Sequence, residues 1–98
     1  MNVVPWVTPR SDAQLLVRLA SRDTTAFSEL YDRYAPEVMG VISRTVDDLS
    51  AAEEIVKRLF LIVWERAEDL SSGRRAAVFR EWLLLTAVQL AAEPVSLG

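Results

Sequence analysis

Apolar residues recur at three- and four-residue steps over 27–42, and this spacing restricts the fold more than any other feature of the chain. Side chains three and four positions apart lie on one face of an α-helix, whereas a strand alternates faces at every residue. The predicted helix begins near Asp23 or Thr24 and runs towards Val46. Pro36 lies inside the pattern and has no backbone N–H, so we expect it to kink the helix or divide it in two.

Two further helices carry signals at their starts. Ser11 with Gln14 forms a predicted capping box for a first helix, because each side chain satisfies a backbone N–H of the other residue. Ser50 with Glu53 forms a second predicted box, for a third helix that ends near Ala67. A polar loop over 68–73 is expected to follow.

The fourth predicted helix runs from about Arg75 to Ala92 and is ended by Pro94. It is apolar on nearly every side, although a surface helix usually keeps a polar half facing water. One face carries Phe79, Trp82, Leu83 and Leu90, and most of a second face carries Leu84, Leu85, Val88 and Ala92. The second face is covered either by protein, as a twin subunit or a partner helix, or by an N-terminal segment containing Val3, Val4, Trp6 and Val7.

Size and composition favour one helical domain without catalysis. The 98 residues suffice for a single modest core. We expect an irregular lead-in at 1–10, an all-α, compact four-helix domain at 11–93 and a tail at 94–98. Cysteine and histidine are absent, and there is no glycine-rich phosphate loop, so we expect no enzyme, cofactor or metal site. A cytoplasmic location fits the absence of cysteine.

Charge and hydropathy limit the partners. The net charge of −3 disfavours attraction of nucleic acid by the whole surface but leaves room for a local basic patch. No segment reaches the roughly 20 apolar residues that cross a bilayer, so no membrane partner is expected.

Three motifs follow one another along the chain. The pattern D-x-x-L-[IV]-x-x-x-x-x-x-D-x-x-A-F-x-x-L-Y-x-x-Y-x-P corresponds to Asp12, Leu15, Leu16, Asp23, Ala26, Phe27, Leu30, Tyr31, Tyr34 and Pro36, with Leu16 in place of Ile or Val. The pattern A-E-D-L-V-Q-E-x-F-L-x-x-W corresponds to Ala52, Glu53, Glu54, Ile55, Val56, Phe60, Leu61 and Trp64, with Glu54 in place of Asp and Ile55 in place of Leu. F-x-x-W-L is matched by Phe79, Trp82 and Leu83. In this order the motifs resemble region 2 of bacterial RNA polymerase sigma factors, specifically the small extracytoplasmic-function (ECF) group.

The resemblance implies a role in transcription initiation and two binding surfaces. The outer face of the third helix would dock on a coiled coil of the largest subunit of core RNA polymerase, through Glu53, Glu54, Lys57, Arg58 and Leu61. The fourth helix and the loop before it would bind the promoter −10 element, through Arg74, Arg75, Arg80 and Trp82. Such residue types suit the task, since bases stack on aromatic rings and phosphates need cations. An anti-sigma factor is a further implied partner.

Two departures from the family pattern support an alternative function. Lys57-Arg58 stands where the family has Gln-Glu, and no Lys or Arg follows Arg80, where the family often has basic residues. The alternative is a degenerate sigma-like interaction module that has lost promoter binding and forms a homodimer or binds a partner, through Leu84, Leu85 and Val88. A helical adaptor unrelated to transcription is a third hypothesis.

Plain structural roles compete with the functional ones. Glu53 and Glu54 stabilise the start of a helix by interaction with its dipole, whatever else they bind. Arg74-Arg75 is equally a solvated helix start. Trp82 is equally a core residue, as are Phe27, Tyr31, Tyr34 and Trp64.

Overall fold

The computed structural model describes residues 10–93 and contains six helices in that range. Helix α1 spans Asp12–Ala20 and α2 spans Thr24–Ile42. Helix α3 spans Leu49–Glu65, and two short helices follow, α4 at Ala67–Leu70 and α5 at Gly73–Ala77. Helix α6 spans Phe79–Ala92. The described part of the chain has no strand, which confirms the all-α prediction. The predicted lead-in and tail lie outside it, except for Arg10.

The predicted capping box of α1 is confirmed. The backbone N–H of Gln14 donates to Ser11 Oγ at 3.1 Å, and the backbone N–H of Ser11 donates to Gln14 Oε1 at 2.8 Å. The helix buries Leu15, Leu16 and Leu19 and leaves Val17 56% exposed. Its apolar stripe therefore faces the core, as the spacing predicts.

Helix α2 passes through Pro36 without a break, so of the two expected effects of this proline, a kink or a division, the division does not occur. Proline costs one helical hydrogen bond, and the buried residues on both sides of it hold the helix to the core: Leu30 and Tyr34 before it, Val38 and Ile42 after it. The helix ends at Ile42 rather than Val46. The backbone N–H of Val46 donates to the Ile42 carbonyl at 2.9 Å, which continues the turn beyond the regular helix.

The N-cap of α3 is Asp48, and the predicted Ser50–Glu53 box is wrong. The Asp48 side chain accepts from the backbone N–H of Ala51 at 3.3 Å. Asp and Ser are about equally good caps, so sequence alone does not choose between them. Helix α3 ends at Glu65, two residues before the expected end.

Helix α4 covers the first half of the predicted polar loop, α5 begins at the last residue of that loop, and α6 begins four residues after the expected start. Helices this short are not stable alone, and here buried residues attach them to the core: Ala67 and Leu70 in α4, and Ala76 in α5. Val78 separates α5 from α6 and caps α6 without a side-chain hydrogen bond. The sequence therefore has no capping signal at this boundary.

Helix α2 is shared by two sets of packed helices, and the core lies between them. Helix α1 packs against α2, α4 and α5, while α6 packs against α2 and α3. Aromatic rings continue along α2: Phe27 lies 5.5 Å from Trp64, Tyr31 lies 4.8 Å from Phe60, and Tyr34 lies 5.8 Å from Phe79, measured between ring centroids. Among the described residues no polar or charged side chain is buried. Tyr34 is buried, but Tyr31 is 37% exposed and is not fully a core residue.

Candidate functional site

The outer face of α3 carries the five residues predicted to dock on polymerase. Glu53, Glu54, Lys57 and Arg58 are exposed, and Leu61 is 55% exposed. The inward face of the same helix buries Val56, Leu59, Phe60 and Val63, which fixes the direction of the outer face. The structure therefore places all five on one solvent-facing surface, which we call the α3 outer face.

Ion pairs on the α3 outer face are solvent-exposed and connect it to α6. Lys57 Nζ lies 3.6 Å from Glu54 Oε1, and both side chains are about 70% exposed. Arg58 Nη2 lies 3.4 Å from Glu93 Oε1, just after the end of α6. Exposed pairs of this kind contribute about 0–1 kcal/mol, so they leave the charges available to a partner.

A groove of about 280 Å³ lies beside this face, between α2 and α3. Glu53 and Lys57 line its α3 side together with Val56, and Tyr31, Ala35 and Met39 line its α2 side. The groove therefore combines apolar side chains with a carboxylate and an ammonium group that also belong to the α3 outer face.

The cations predicted to bind DNA lie in α5 and the first turn of α6. Arg74 is exposed, and its side chain has no ion pair within residues 10–93. Arg75 Nη1 lies 2.7 Å from Asp69 Oδ2. Arg80 makes a two-pronged contact with Glu37 of α2, in which Nε donates to Oε1 at 3.3 Å and Nη2 donates to Oε2. The structure brings these arginines to neighbouring turns but pairs two of them with carboxylates.

Trp82 is half-buried, which fits both interpretations of it. Its ring stacks beside that of Phe79, with centroids 6.1 Å apart and planes at 26°. Thr86 Oγ1 donates to the Trp82 carbonyl at 2.7 Å. The tryptophan therefore contributes to the core and keeps part of its ring surface open to water.

The second apolar face of α6 is only partly exposed. Leu85 is 64% and Val88 50% exposed, and Ala92 is exposed as well. Leu84 differs from the prediction, because it is partly buried and packs against the core. We call Leu85, Val88 and Ala92 the α6 outer strip.

A polar cluster that sequence reasoning missed joins α1 to α2. Arg33 Nη1 lies 2.8 Å from Asp12 Oδ1, and Tyr34 donates its hydroxyl proton to Asp12 Oδ2. Burial and this contact with the Asp12 carboxylate raise the pKa of Tyr34 above its ordinary value.

The contact between α6 and α2 is also electrostatic: the contact with Glu37 raises the pKa of Arg80, which remains charged. Pairs between distant residues leave no periodic signal in a single sequence.

Other kinds of site have no support within residues 10–93. No group of three or more Asp or Glu side chains in that range could hold a metal ion. No helix in the described part of the chain combines the length and hydropathy needed to span a membrane.

Comparisons with known proteins agree with the motifs. A family model described as Sigma-70 region 2 matches residues 30–93. The ECF RNA polymerase sigma factor SigK of Mycobacterium tuberculosis is 35% identical over 95 residues, which cover 97% of this chain and 49% of that protein. SigK of a Mycobacterium species, strain KMS, is 36% identical over 92 residues, covering 94% of this chain and 46% of the relative. The chain thus spans about half the length of the curated relatives it matches. No solved structure gives a significant match.

Proposed function

Because the chain belongs to the sigma-70 region 2 family, in its ECF group, we propose that it acts in bacterial transcription initiation by binding core RNA polymerase and the promoter −10 region. The supporting observation is that the third-helix motif, which departs from the family at Lys57 and Arg58, lies on α3, whose five candidate residues share one exposed face. Leu61, 55% exposed, lies at the C-terminal end of that face and is largely outside the core.

The polymerase-binding part of the proposal concerns the α3 outer face. Leu61 supplies an apolar anchor that follows four charged side chains on the same face, and an interface can combine such an anchor with polar contacts beside it. The coiled coil of the largest polymerase subunit is the proposed partner. Lys57 and Arg58, whose pairs with Glu54 and Glu93 are exposed and weak, would favour acidic groups on the coiled coil opposite them.

Binding of the purified chain to the isolated coiled coil tests this part. Leu61→Asp is expected to weaken binding at least tenfold, because it puts a carboxylate in place of the apolar anchor of the contact. Val17→Asp is the matched control, since Val17 lies on α1 and is 56% exposed against 55% for Leu61. Equal binding by the two variants, or no binding by the unmodified chain, would contradict the proposal.

The DNA-binding part concerns Arg74, Arg75, Arg80 and Trp82. Trp82 offers a partly open ring for stacking, and the arginines offer cations for phosphates. Fluorescence anisotropy with a labelled non-template −10 strand at low salt tests it. Absence of binding at tens of micromolar protein would remove the DNA role and leave the polymerase role intact.

A second candidate function is self-association through the α6 outer strip, and the exposure of Leu85 and Val88 favours it. The strip repeats at steps of three and four residues, the spacing of a helix-pair seam. A contact limited to one short helix buries less area than a standard interface, so the dimer is expected to be weak. Sedimentation at high concentration tests it, with Leu85→Asp as the disrupting change and Val17→Asp as the control. A purely monomeric unmodified chain would contradict it.

Two accompanying proposals follow from the family. The chain would act in the cytoplasm, where core polymerase works, and an anti-sigma factor would compete for the exposed faces of α3 or α6. The alternative in which the N-terminal segment covers α6 concerns residues outside the described range. Binding of an anti-sigma protein that is lost together with polymerase binding in Leu61→Asp would support a shared α3 surface.

A further inference from the structure

Carboxylates of this chain bind two of the three arginines on the candidate DNA surface. Glu37 contacts Arg80 through both oxygens, and Asp69 contacts Arg75 at 2.7 Å. Arg74 has no such partner within the described range. Glu37 lies on α2 and Asp69 on α4. Glu37 is 43 positions away from Arg80 along the chain, so the packing of α2 against α6 brings the two together.

We propose that Glu37 and Asp69 compete with nucleic-acid phosphate for Arg80 and Arg75, and that they set the affinity of this surface for single-stranded DNA. The proposal rests on the proposed DNA-binding function and adds the residues that limit it. A guanidinium group presents the same planar pair of donors to a carboxylate and to a phosphate. A phosphate that binds the Nε–Nη2 edge of Arg80 must therefore displace the Glu37 oxygens.

The solvent exposure of the pairs makes this displacement feasible. The Arg80 and Glu37 side chains are 51% and 39% exposed, and those of Arg75 and Asp69 are 61% and 53% exposed. An ion pair in such surroundings is worth about 0–1 kcal/mol, so DNA can break it. The carboxylates lower the affinity without abolishing it, and they also repel an approaching phosphate.

Counterion release gives the size of the effect. Each additional phosphate contact makes the log-log slope of affinity against salt steeper by about 0.7 for a single strand. If 1 M salt is taken as the point at which the extra contact adds nothing, that contact raises the affinity about eightfold at 0.05 M salt. At 0.2 M the gain falls to about threefold. These are the increments expected when one arginine is released.

The experiment measures binding of labelled oligothymidylate to the full chain by anisotropy as a function of salt. Glu37→Gln and Asp69→Asn each remove one carboxylate from an arginine. Asp32→Asn is the matched control, because it changes the net charge equally and Asp32, exposed on α2, has no ion pair within residues 10–93. Thermal unfolding of each variant checks folding, and the two variants test the same idea at separate places.

The expected result is tighter binding and a steeper salt slope in Glu37→Gln and Asp69→Asn, with a smaller change in Asp32→Asn. The gain from Glu37→Gln should disappear when Arg80→Ala is combined with it, since no arginine is then released. Gains equal to that of Asp32→Asn, or a gain that persists with Arg80→Ala, would overturn the inference. Absence of binding by every variant would also overturn it, whereas binding to the polymerase coiled coil is a separate readout of the proposed function.

Discussion

Arg22 occupies an unusual backbone position and makes two contacts with the end of α3. Its φ is 66°, in the left-handed region, within the turn between α1 and α2. Its Nη1 donates to the Trp64 carbonyl at 2.6 Å, and its guanidinium carbon lies 4.9 Å from the centre of the Trp64 ring. That carbonyl belongs to the last turn of α3, where a cation is favourable.

Replacing Arg22 separates the contacts from the backbone strain. Arg22→Ala removes a hydrogen bond from a charged donor, worth about 1.5–3 kcal/mol. It also removes a cation–π contact worth about 0.5–1 kcal/mol at an exposed site. Because Arg22 is exposed, we expect a total loss of about 2 kcal/mol, near the lower end of these ranges. Alanine keeps the left-handed penalty of about 1–2 kcal/mol, but glycine removes it, so Arg22→Gly should cost about 1 kcal/mol less than Arg22→Ala.

Denaturant unfolding at 25 °C, followed by circular dichroism, measures these differences. A loss of 2 kcal/mol corresponds to a fall in Tm of about 8–16 °C for a domain of this size. Arg44→Ala is the control, since Arg44 is an exposed arginine after α2 without a side-chain partner in the described range. Equal stability of the glycine and alanine variants would refute the strain, and an alanine variant as stable as the control would refute the contacts with Trp64.

Three further predictions concern the caps and the core. Asp48→Ala should destabilise the domain by about 1 kcal/mol because α3 loses its N-cap, while Ser50→Ala should be nearly neutral. Chemical denaturation measures both, and a larger loss in Ser50→Ala than in Asp48→Ala would show that Ser50 is the cap. Burial raises the pKa of Asp23, but hydrogen bonds from Ala26, Thr25 and Arg18 outweigh it and lower the pKa overall. The contribution of the Asp23 charge to stability is therefore complete above the unfolded pKa of about 3.9 and is lost as the pH falls through the lower folded value. The Tm difference between the unmodified chain and Asp23→Asn should close on acidification, and a difference independent of pH would contradict this. Leu83→Ala, at a fully buried site, should cost about 2–5 kcal/mol in the same unfolding assay, and a loss below 1 kcal/mol would mean that α6 is not docked as described.

The sequence predicts the long helices because each has a wide apolar stripe, and the start of α1 also carries a clear signal. It predicts the α1 box correctly because Gln14 completes the Ser-x-x-Gln pattern that begins at Ser11. It fails at α3, where Asp48 and Ser50 are both good caps. The backbone conformation decides between them, because it is extended at Asp48 and already helical at Ser50. It also misses α4 and α5, because helices of four and five residues depend on tertiary burial rather than on local preference.

Helical periodicity also makes the candidate surfaces predictable in part. Periodicity identifies the α3 outer face, since residues that are not on the buried stripe must face water. On α6 it misjudges Leu84, because a helix that is apolar on most of its circumference gives no clear phase. The partners of Arg80 and Arg58 lie 43 and 35 positions away along the chain, so they are determined by the packing of helices rather than by any local pattern.

The weak amphipathic character of α6 has a consequence for how its orientation is chosen. A cylinder that is apolar nearly all round would bury similar area at several rotations about its long axis, so hydrophobic burial alone selects none of them sharply. Arg80 meets Glu37 at one end of α6, and Glu93 meets Arg58 just beyond the other end. Both contacts fit the rotation that buries Phe79, Leu83 and Leu90, so two exposed ion pairs that add little to stability help the core to fix which side chains of the helix are presented to a partner.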